Sequence, residues 1–410
     1  MRTCLPPPDK SITIRALLLA AVAEGSARIE NPLACGDTEA ALGCLRELGV
    51  RTCRDGNALI VEGRGLKGLK RPAGPLDAGE SAALARLLAG LLAGQAFPSE
   101  ITGRGSLLKR PMAATAAALR KLGARVEATD GRLPLRVRPA RLKGARVSGV
   151  ESAQIKSALL LAGLYAAGGA AVKEKFPARD HTERLLMLFG ARISRKRAFT
   201  SVQPGPLTAR PLTVPGDISS AAPFMAAALL SGEPLRVTGC GLNPLRLGFI
   251  ETLKKMGARI KLKPESGFPE PVGDIETLPS ALKAVKVAPA QVPSMIDEVP
   301  LLAVLAGRAR GVTAISGLRN LRAKESDRVA STLGLLAALG VKASYKGGTL
   351  SVTGGKKFKA VSPADPHGDH RIAMAAAAAS AACPGLEIKD SGCVAKSYPD
   401  FWKDFGRVFK

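Results

Sequence analysis

Six helix ends with the same short pattern divide the chain into units of similar length. At each of them an apolar residue and a glycine close a helical stretch. The glycines are Gly49, Gly123, Gly190, Gly257, Gly340 and Gly406. Consecutive glycines are separated by 74, 67, 67, 83 and 66 residues. Glycine is common just after a helix because it accepts the left-handed backbone conformation found there. A pattern repeated six times predicts six copies of one structural unit.

Each unit also has an earlier helix and several strands. Alanine- and leucine-rich stretches predict the earlier helices at residues 15–23, 83–94, 156–167, 219–230, 298–306 and 371–382. A short β segment follows, as at residues 27–31. Alternating apolar and polar residues around glycine turns predict hairpins, for example over residues 50–61 and 341–352. The chain therefore has the pattern of an α/β protein.

The sixth unit is shorter than the others. Residues 407–410 are all that follows its glycine, so its last strand is missing, and we expect residues 1–9 to supply it. The chain then divides into two domains of three repeats each. One domain covers residues 10–213, and the other is discontinuous and combines residues 1–9 with residues 214–410.

The charge of the chain points to anionic partners. Lysine and arginine number 60 against 34 acidic residues, which gives a net charge of +26. Nucleic acid, a membrane surface and phosphorylated small molecules would all fit such a charge. Twelve of the basic residues lie between positions 104 and 146, but aromatic residues make up 4% of the chain and do not alternate with basic ones. We therefore expect no dedicated nucleic-acid function.

Cysteine and hydropathy patterns bear on metals and on location. The seven cysteines include no C-x-x-C pair and the chain has three histidines, so we expect no metal site. Scattered cysteines of odd number are typical of reduced thiols in the cytoplasm. The longest uncharged apolar run, residues 157–172, is too short to span a bilayer, and we expect no membrane association. Residues 16–23 are apolar enough for a signal peptide, but three prolines and an aspartate precede them instead of a basic segment.

Polar residues collect just before the helices of the repeats. Those before the first helix of a unit, or in its first turns, include Lys10, Ser11, Arg15, Ser152, Gln154, Asp217, Ser219, Ser220, Asp297, Glu298, Asp369, His370 and Arg371. Those before the second helix include Asp37, Lys109, Arg110, Arg179, Lys324, Glu325, Arg328 and Lys396. Helix N-termini carry free N–H groups and bind anions, and basic side chains there strengthen such binding. The recurrence predicts sites for phosphate and carboxylate groups.

Nine short segments carry most of these residues. They are residues 9–15 (DKSITIR), 108–112 (LKRPM), 152–158 (SAQIKSA), 177–184 (PARDHTER), 215–222 (PGDISSAA), 296–298 (IDE), 321–328 (LRAKESDR), 369–374 (DHRIAM) and 396–399 (KSYP). In this order the segments resemble the signatures of the 5-enolpyruvylshikimate-3-phosphate synthase family. The resemblance extends over nearly the whole chain.

The resemblance implies both a fold and a reaction. The family fold is a two-domain inside-out α/β barrel of six repeated α/β units, three per domain, with the active site in the interdomain cleft. The family transfers the enolpyruvyl group of phosphoenolpyruvate to the 5-hydroxyl of shikimate 3-phosphate, releasing phosphate, in the shikimate pathway. By resemblance the partners are these two small molecules, no metal or organic cofactor takes part, and the chain is a cytoplasmic monomer.

The resemblance also assigns roles to residues of this chain. The implied catalytic residues are Asp297, Glu325 and Lys10. Those implied for phosphoenolpyruvate are Lys10, Arg110, Gln154, Arg328, Arg371 and Lys396. Those implied for shikimate 3-phosphate are Lys10, Ser11, Arg15, Ser152, Ala153, Gln154, Arg179, Asp297, Asn320 and Lys324.

The chain departs from the family pattern at several positions. Pro8, Ile14 and Ala153 stand where members have glycine, asparagine and, in some members, serine. The loop over residues 80–83 (ESAA) aligns with Asn-Ala-Gly-Thr, which places an acid near the expected phosphate position. Ala82 falls where glyphosate-sensitive members have glycine, so we expect poor inhibition by glyphosate.

Two other functions stay open within the same family. The sister enzyme acts on UDP-N-acetylglucosamine and uses a reactive cysteine in the loop before the Arg-Pro pair, whereas residues 103–110 contain none. A catalytically weakened family member is the other alternative, suggested by Glu80 and Ile14.

Overall fold

The computed structural model of the chain describes residues 1–196 and 198–409. The chain separates into two compact units of internal contacts. The first unit consists of residues 8–214, and the second unit combines residues 1–7 with those from 215 onward. Each unit has its own apolar core.

The predicted alanine- and leucine-rich helices are all present. In chain order the helices are α1 (Lys10–Ala21), α2 (Gly36–Glu47), α3 (Ala82–Leu92), α4 (Ala113–Lys121), α5 (Ala153–Gly163), α6 (His181–Leu188), α7 (Ile218–Ser231), α8 (Gly248–Lys255), α9 (Val299–Arg308), α10 (Arg328–Ala338), α11 (His370–Ser380) and α12 (Phe401–Phe409). Helices α1, α3, α5, α7, α9 and α11 are apolar on nearly every side and are almost entirely buried, as expected of core helices. Helix α1 begins five residues before its predicted start because the side chain of Asp9 caps it by accepting a hydrogen bond from the Ile12 N–H.

Short strands follow and precede these helices. They are β1 (Arg2–Cys4), β2 (Ser26–Glu30), β3 (Arg51–Asp55), β4 (Ala58–Glu62), β5 (Leu76–Asp77), β6 (Ser99–Thr102), β7 (Arg125–Thr129), β8 (Arg132–Arg138), β9 (Ala145–Val150), β10 (Ala170–Glu174), β11 (Ile193–Lys196), β12 (Phe199–Val202), β13 (Leu212–Thr213), β14 (Leu235–Gly241), β15 (Arg259–Ser266), β16 (Val272–Leu278), β17 (Lys286–Val287), β18 (Val312–Ser316), β19 (Ala343–Lys346) and β20 (Thr349–Thr353). Strands β3 and β4, and strands β19 and β20, are the two predicted hairpins.

In the described part of the chain these strands form five four-stranded sheets with one common order. The sheets are β13–β2–β4–β3, β5–β6–β8–β7 and β9–β10–β12–β11 in the first unit, and β1–β14–β16–β15 and β17–β18–β20–β19 in the second. The first pair of each sheet is parallel and the other pairs are antiparallel. A parallel pair needs a crossover, and in the second, third and fifth repeats the buried helix supplies it. Each of these repeats is therefore strand, helix, strand, helix and hairpin.

The expectation that residues 1–9 complete the sixth repeat is wrong. Strand β1 pairs in parallel with β14, so it supplies the first strand of the fourth repeat. Strand β13 does the same for the first repeat by pairing with β2. Strands β1 and β13 have three and two residues, too few for a periodic pattern, so the sequence concealed that these two sheets begin with them.

The sixth glycine is also not a helix end. Gly49, Gly123, Gly190, Gly257 and Gly340 all have positive φ just after a helix, as predicted. Gly406 instead lies inside α12, which continues to Phe409. Three aromatic rings of α12 pack on Phe224 of α7. The ring centroids of Phe401, Phe405 and Phe409 lie 5.5 to 6.3 Å from that of Phe224. The sixth repeat thus closes with an aromatic helix instead of a hairpin.

None of the helices in the described residues combines the length and apolar character needed to cross a membrane.

Candidate active site

Arg328, at the start of α10, gathers three carboxylates. Its Nη1 donates to Asp297 Oδ1 at 2.9 Å, its Nη2 to Glu325 Oε2 at 2.7 Å and its Nε to Asp369 Oδ2 at 2.8 Å. Lys324 Nζ lies 4.0 Å from Asp297 Oδ1 and adds a second positive charge. The two predicted catalytic carboxylates, Asp297 and Glu325, are therefore held by one guanidinium.

The surroundings of Arg328 stabilise its charge. Its side chain is 2% exposed, and burial alone would lower its pKa. The negative charges of Asp369, Glu325 and Asp297 outweigh burial, so the pKa of Arg328 lies above its ordinary value. Arg328 is a permanent cation, and its donors hold these carboxylates in fixed positions.

Arg371 belongs to a second buried cluster of the same unit. Its backbone N–H donates to Asp369 Oδ1 at 2.9 Å, and its Nη1 donates to the Ser219 carbonyl at 2.9 Å. Ser219 Oγ donates to Glu298 and accepts from Arg246 Nη2, the latter at 2.7 Å. Arg246 also donates to Asp217 Oδ1 at 3.2 Å. The sequence identified Ser219 and Glu298 as polar residues before helices, but it missed Arg246.

The remaining predicted residues of this unit lie on two 3₁₀ turns. Asn320 is exposed on the turn Arg319–Ala323, and Lys396 ends the turn Ser391–Lys396 and is half-buried. The first of these turns leads directly into Lys324 and Glu325.

In the first unit, Ser11 and Arg15 belong to one hydrogen-bond network. Arg15 is 3% exposed. Its Nη1 donates to Ser11 Oγ at 2.6 Å, its Nε to Thr182 Oγ1 at 2.8 Å and its Nη2 to Ser157 Oγ at 3.1 Å. Thr182 Oγ1 in turn donates to Ser157 Oγ at 2.7 Å. The network fixes the first turns of α1 against α5 and α6. The sequence predicted neither Ser157 nor Thr182, although both lie inside quoted signatures.

The N-terminus of α5 carries three further predicted residues. Ser152 caps the helix by accepting a hydrogen bond from the Ile155 N–H at 3.4 Å, which leaves Ala153 and Gln154 in the first turn. Gln154 Oε1 accepts a hydrogen bond from Arg86 Nη1 on α3. Arg86 Nη2 also donates to the Pro111 carbonyl at 2.8 Å. The Arg86 side chain therefore joins the α5 N-terminus to the segment that carries Arg110, which is 7% exposed.

Lys10 and Arg179 complete the predicted set of the first unit. Lys10 opens α1 and forms an ion pair with Asp37 of α2 at 2.9 Å. Arg179 is half-buried in the loop that leads to α6. Both residues lie within a turn of a helix N-terminus, where anions are stabilised.

Two departures from the family pattern have a structural explanation. Ile14 is fully buried in the core of the first unit. The Glu80 carboxylate accepts hydrogen bonds from Ser106 N–H at 3.2 Å and from Ser106 Oγ at 2.8 Å. Glu80 thereby contacts the 3₁₀ turn that precedes Arg110.

The described residues contain no group of three or more histidine, cysteine, aspartate or glutamate side chains arranged to hold a metal ion.

Comparison with known proteins identifies the family. Residues 3–405 match the family model described as EPSP synthase (3-phosphoshikimate 1-carboxyvinyltransferase). Proteins named 3-phosphoshikimate 1-carboxyvinyltransferase from Thermus thermophilus and Lactiplantibacillus plantarum are 45% and 41% identical, and each alignment covers 98% of this chain and 95% of the relative. The solved EPSP synthase of Acinetobacter baumannii superposes with a TM-score of 0.85 at 36% identity, covering 99% of this chain and 95% of that one. The enolpyruvyl transferase NikO of Streptomyces tendae, at 20% identity and a TM-score of 0.79, shares the fold. The chain belongs to the EPSP synthase (3-phosphoshikimate 1-carboxyvinyltransferase) family.

Proposed function

We propose that the chain transfers the enolpyruvyl group of phosphoenolpyruvate to the 5-hydroxyl of shikimate 3-phosphate. The products are 5-enolpyruvylshikimate 3-phosphate and inorganic phosphate, which places the reaction in the shikimate pathway and in aromatic amino acid biosynthesis. The observation that carries this proposal is the match to the family over residues 3–405.

The second unit supplies the proposed acid–base groups. In the reaction the substrate hydroxyl loses a proton and the methylene carbon of phosphoenolpyruvate gains one, so the site needs groups that accept and donate protons. Asp297 and Glu325 have this role in our proposal, and Lys10 is a third participant. The hydrogen bonds from Arg328 support the assignment because they hold both carboxylates in one place. Arg328 also contributes positive charge for phosphoenolpyruvate, together with Arg371 and Lys396.

The first unit supplies most of the proposed ligands for shikimate 3-phosphate. We assign Ser11, Arg15, Ser152, Gln154 and Arg179 to this substrate. Ser11 and Arg15 are linked by hydrogen bonds, and Ser152 and Gln154 lie at the N-terminus of α5, where backbone N–H groups and the helix dipole favour a phosphate.

Further assignments complete the two ligand sets. Ala153 contributes its backbone at the same helix start to shikimate 3-phosphate, and Lys10, Asp297, Asn320 and Lys324 also serve this substrate. Arg110, Gln154 and Lys10 serve phosphoenolpyruvate.

The architecture is part of the same proposal. We propose that the two compact units are the two three-repeat domains of an inside-out α/β barrel, and that residues of both act on the same pair of substrates. We further propose a monomer in the cytoplasm that needs no metal or organic cofactor and is poorly inhibited by glyphosate.

A phosphate-release assay tests the proposed function. The purified chain should release inorganic phosphate when shikimate 3-phosphate and phosphoenolpyruvate are both present, and neither substrate alone should support release. A parallel reaction replaces shikimate 3-phosphate with UDP-N-acetylglucosamine. Release that depends on the nucleotide sugar instead would assign the chain to the sister activity. No release with either acceptor would favour a catalytically weakened family member.

A further inference from the structure

Lys156 is a buried cation that the proposed reaction does not use directly. It lies one turn into α5, and its side chain is 0% exposed. Its Nζ is 2.8 Å from Glu183 Oε1 and 3.0 Å from Glu174 Oε2, and it donates to the Ala178 carbonyl at 3.1 Å. Buried lysines are rare unless they are paired, so these three contacts account for its presence in the core.

The three partners of Lys156 come from three consecutive parts of the chain. Glu174 ends β10, Ala178 lies in the loop that follows, and Glu183 is in the first turn of α6. Arg179 is the next residue after Ala178 in that loop. The ammonium group therefore fixes the path of the chain on both sides of Arg179 relative to α5.

The other end of this link is the N-terminus of α5. Ser152 caps the helix, and its carbonyl accepts the backbone hydrogen bond of Lys156 at 2.9 Å. Gln154 lies between them in the same turn. Lys156 thus connects, within one helical turn, the Ser152–Gln154 segment to the loop that carries Arg179.

The next residue of α5 extends the connection to α1. Ser157 Oγ accepts hydrogen bonds from Thr182 at 2.7 Å and from Arg15 at 3.1 Å. Arg15 also holds Ser11. Adjacent residues of one helix therefore hold two groups of proposed ligands, one through Lys156 and the other through Ser157.

The charges at Lys156 show why a neutral side chain would not replace it. Burial raises the pKa of the Glu174 carboxyl, the ammonium of Lys156 opposes that rise, and the nearby Glu183 adds to it. Without the ammonium, the buried carboxyl group of Glu183 and the largely buried one of Glu174 would have no cation between them. The loop would then have to move or take up protons.

We propose that Lys156 is a positioning residue for shikimate 3-phosphate, which sets the place of Arg179 relative to Ser152 and Gln154 without touching the substrate. This inference rests on the proposed function, because the proposal assigns those three residues to shikimate 3-phosphate. It goes beyond the proposed function by giving a role to a residue whose side chain is fully buried.

Steady-state kinetics with both substrates tests the inference. Lys156→Met should raise the KM for shikimate 3-phosphate about tenfold or more, while kcat at saturation changes by less than about threefold, because the change weakens a binding interaction that ground state and transition state share. Lys175→Met is the matched control. Lys175 lies in the same loop and pairs with Glu151 at 2.7 Å, but its side chain is 55% exposed, and we expect no change.

A second variant keeps the test decisive if the first does not fold. Lys156→Met combined with Glu183→Gln removes one cation and one anion together, so we expect it to fold and to show the same rise in KM. If Lys156→Met does not fold, the double variant decides the question. A folded variant with a KM for shikimate 3-phosphate within about twofold of the unmodified chain would overturn the inference, and so would an equal loss of kcat with KM unchanged.

Amide hydrogen exchange separates this inference from the proposed function. In the folded variant, residues 176–183 and 152–156 should exchange faster than in the unmodified chain, whether or not the chain has activity. Absence of phosphate release by the unmodified chain would refute the proposed function by itself. Unchanged exchange in both segments would refute the positioning role, whatever the activity.

Discussion

Replacing Glu325 with glutamine tests the acid–base proposal with little change in shape. The carboxamide keeps an oxygen that can accept the 2.7 Å hydrogen bond from Arg328 Nη2. The hydrogen bonds from Arg328 to Asp297 and Asp369 should therefore persist. Among Asp297, Glu325, Asp369, Lys324 and Arg328 the substitution changes the summed charge from −1 to 0. No cation or anion is left buried without an opposite charge, so we expect the free energy of unfolding to change by less than about 1 kcal/mol.

The effect on turnover should be much larger than the effect on stability. A positioned side chain that transfers a proton contributes roughly 10²- to 10⁴-fold to the rate. At about 1.36 kcal/mol per tenfold, the barrier should rise by about 2.7 to 5.4 kcal/mol. The dissociation constant of shikimate 3-phosphate should change by less than about threefold, since the hydrogen-bond geometry is kept. A fall in kcat without a matching loss of binding is therefore the expected result.

The control for Glu325→Gln is a variant that removes a neighbouring carboxylate, that of Asp327. Asp327 caps α10 by accepting hydrogen bonds from the Val329 and Ala330 N–H groups, each at 3.2 Å. Asparagine caps helices about as well as aspartate, so Asp327→Asn removes a charge two residues away at little structural cost. Phosphate release and thermal unfolding are measured for both variants. If Glu325→Gln keeps more than about a tenth of the unmodified kcat, or if Asp327→Asn loses as much activity, Glu325 is not the proton-transfer group.

Three other results follow from the structure. Gly90→Ala should destabilise the fold by about 1 to 3 kcal/mol because its new methyl group would overlap the backbone of α5. Gly43→Ala should instead stabilise the fold by up to about 1 kcal/mol, because its new methyl group would have no neighbour within 4 Å. Thermal unfolding of both variants checks this. Ala82→Gly should increase inhibition by glyphosate at a fixed phosphoenolpyruvate concentration by about 10- to 200-fold if the alanine methyl crowds the inhibitor; equal inhibition of both chains would refute the steric explanation. In thiol titration at pH 8, the exposed Cys53 should react at once and Cys44 only after unfolding. Burial raises the pKa of Cys44 to about 12 and keeps its thiol protonated, so rapid reaction of Cys44 in the folded chain would contradict this.

Periodic features of the fold were accessible from the sequence. The six buried helices have long apolar stretches, and five of the six glycines end helices with positive φ. The prediction failed for Gly406 because Phe405, the apolar residue before it, belongs to the aromatic face of α12, and the Phe-Gly pair has the same short pattern as a helix end. It failed for residues 1–9 because the pairing of β1 with β14 joins residues more than 230 positions apart. Such pairings depend on the tertiary fold, and local periodicity contains no information about them.

In the candidate site, too, the sequence predicted some features and not others. Motif residues such as Asp297 and Glu325 were predicted individually, but their common contact with Arg328 was not, because hydrogen-bond partners depend on side-chain direction. Lys156 offered a signal that could have been used. A lysine in a core helix, directly before its apolar run, is costly to bury, so its presence indicates a buried partner of opposite charge.

Arg328 and Lys156, two buried cations of different units, solve one physical problem in different ways. Arg328 holds carboxylates whose chemistry is proposed to serve the reaction, and its planar donors fix three of them at once. Lys156 holds Glu174 and Glu183, which have no proposed part in the chemistry, and its compact ammonium also holds a carbonyl of the loop that carries Arg179. In both cases a change in the position of one partner would leave a charge unpaired in the core, so the arrangement resists displacement. Resistance of this kind is what a binding site needs when its ligands come from separate helices and loops, because preorganised ligands lose little conformational freedom when the substrate binds.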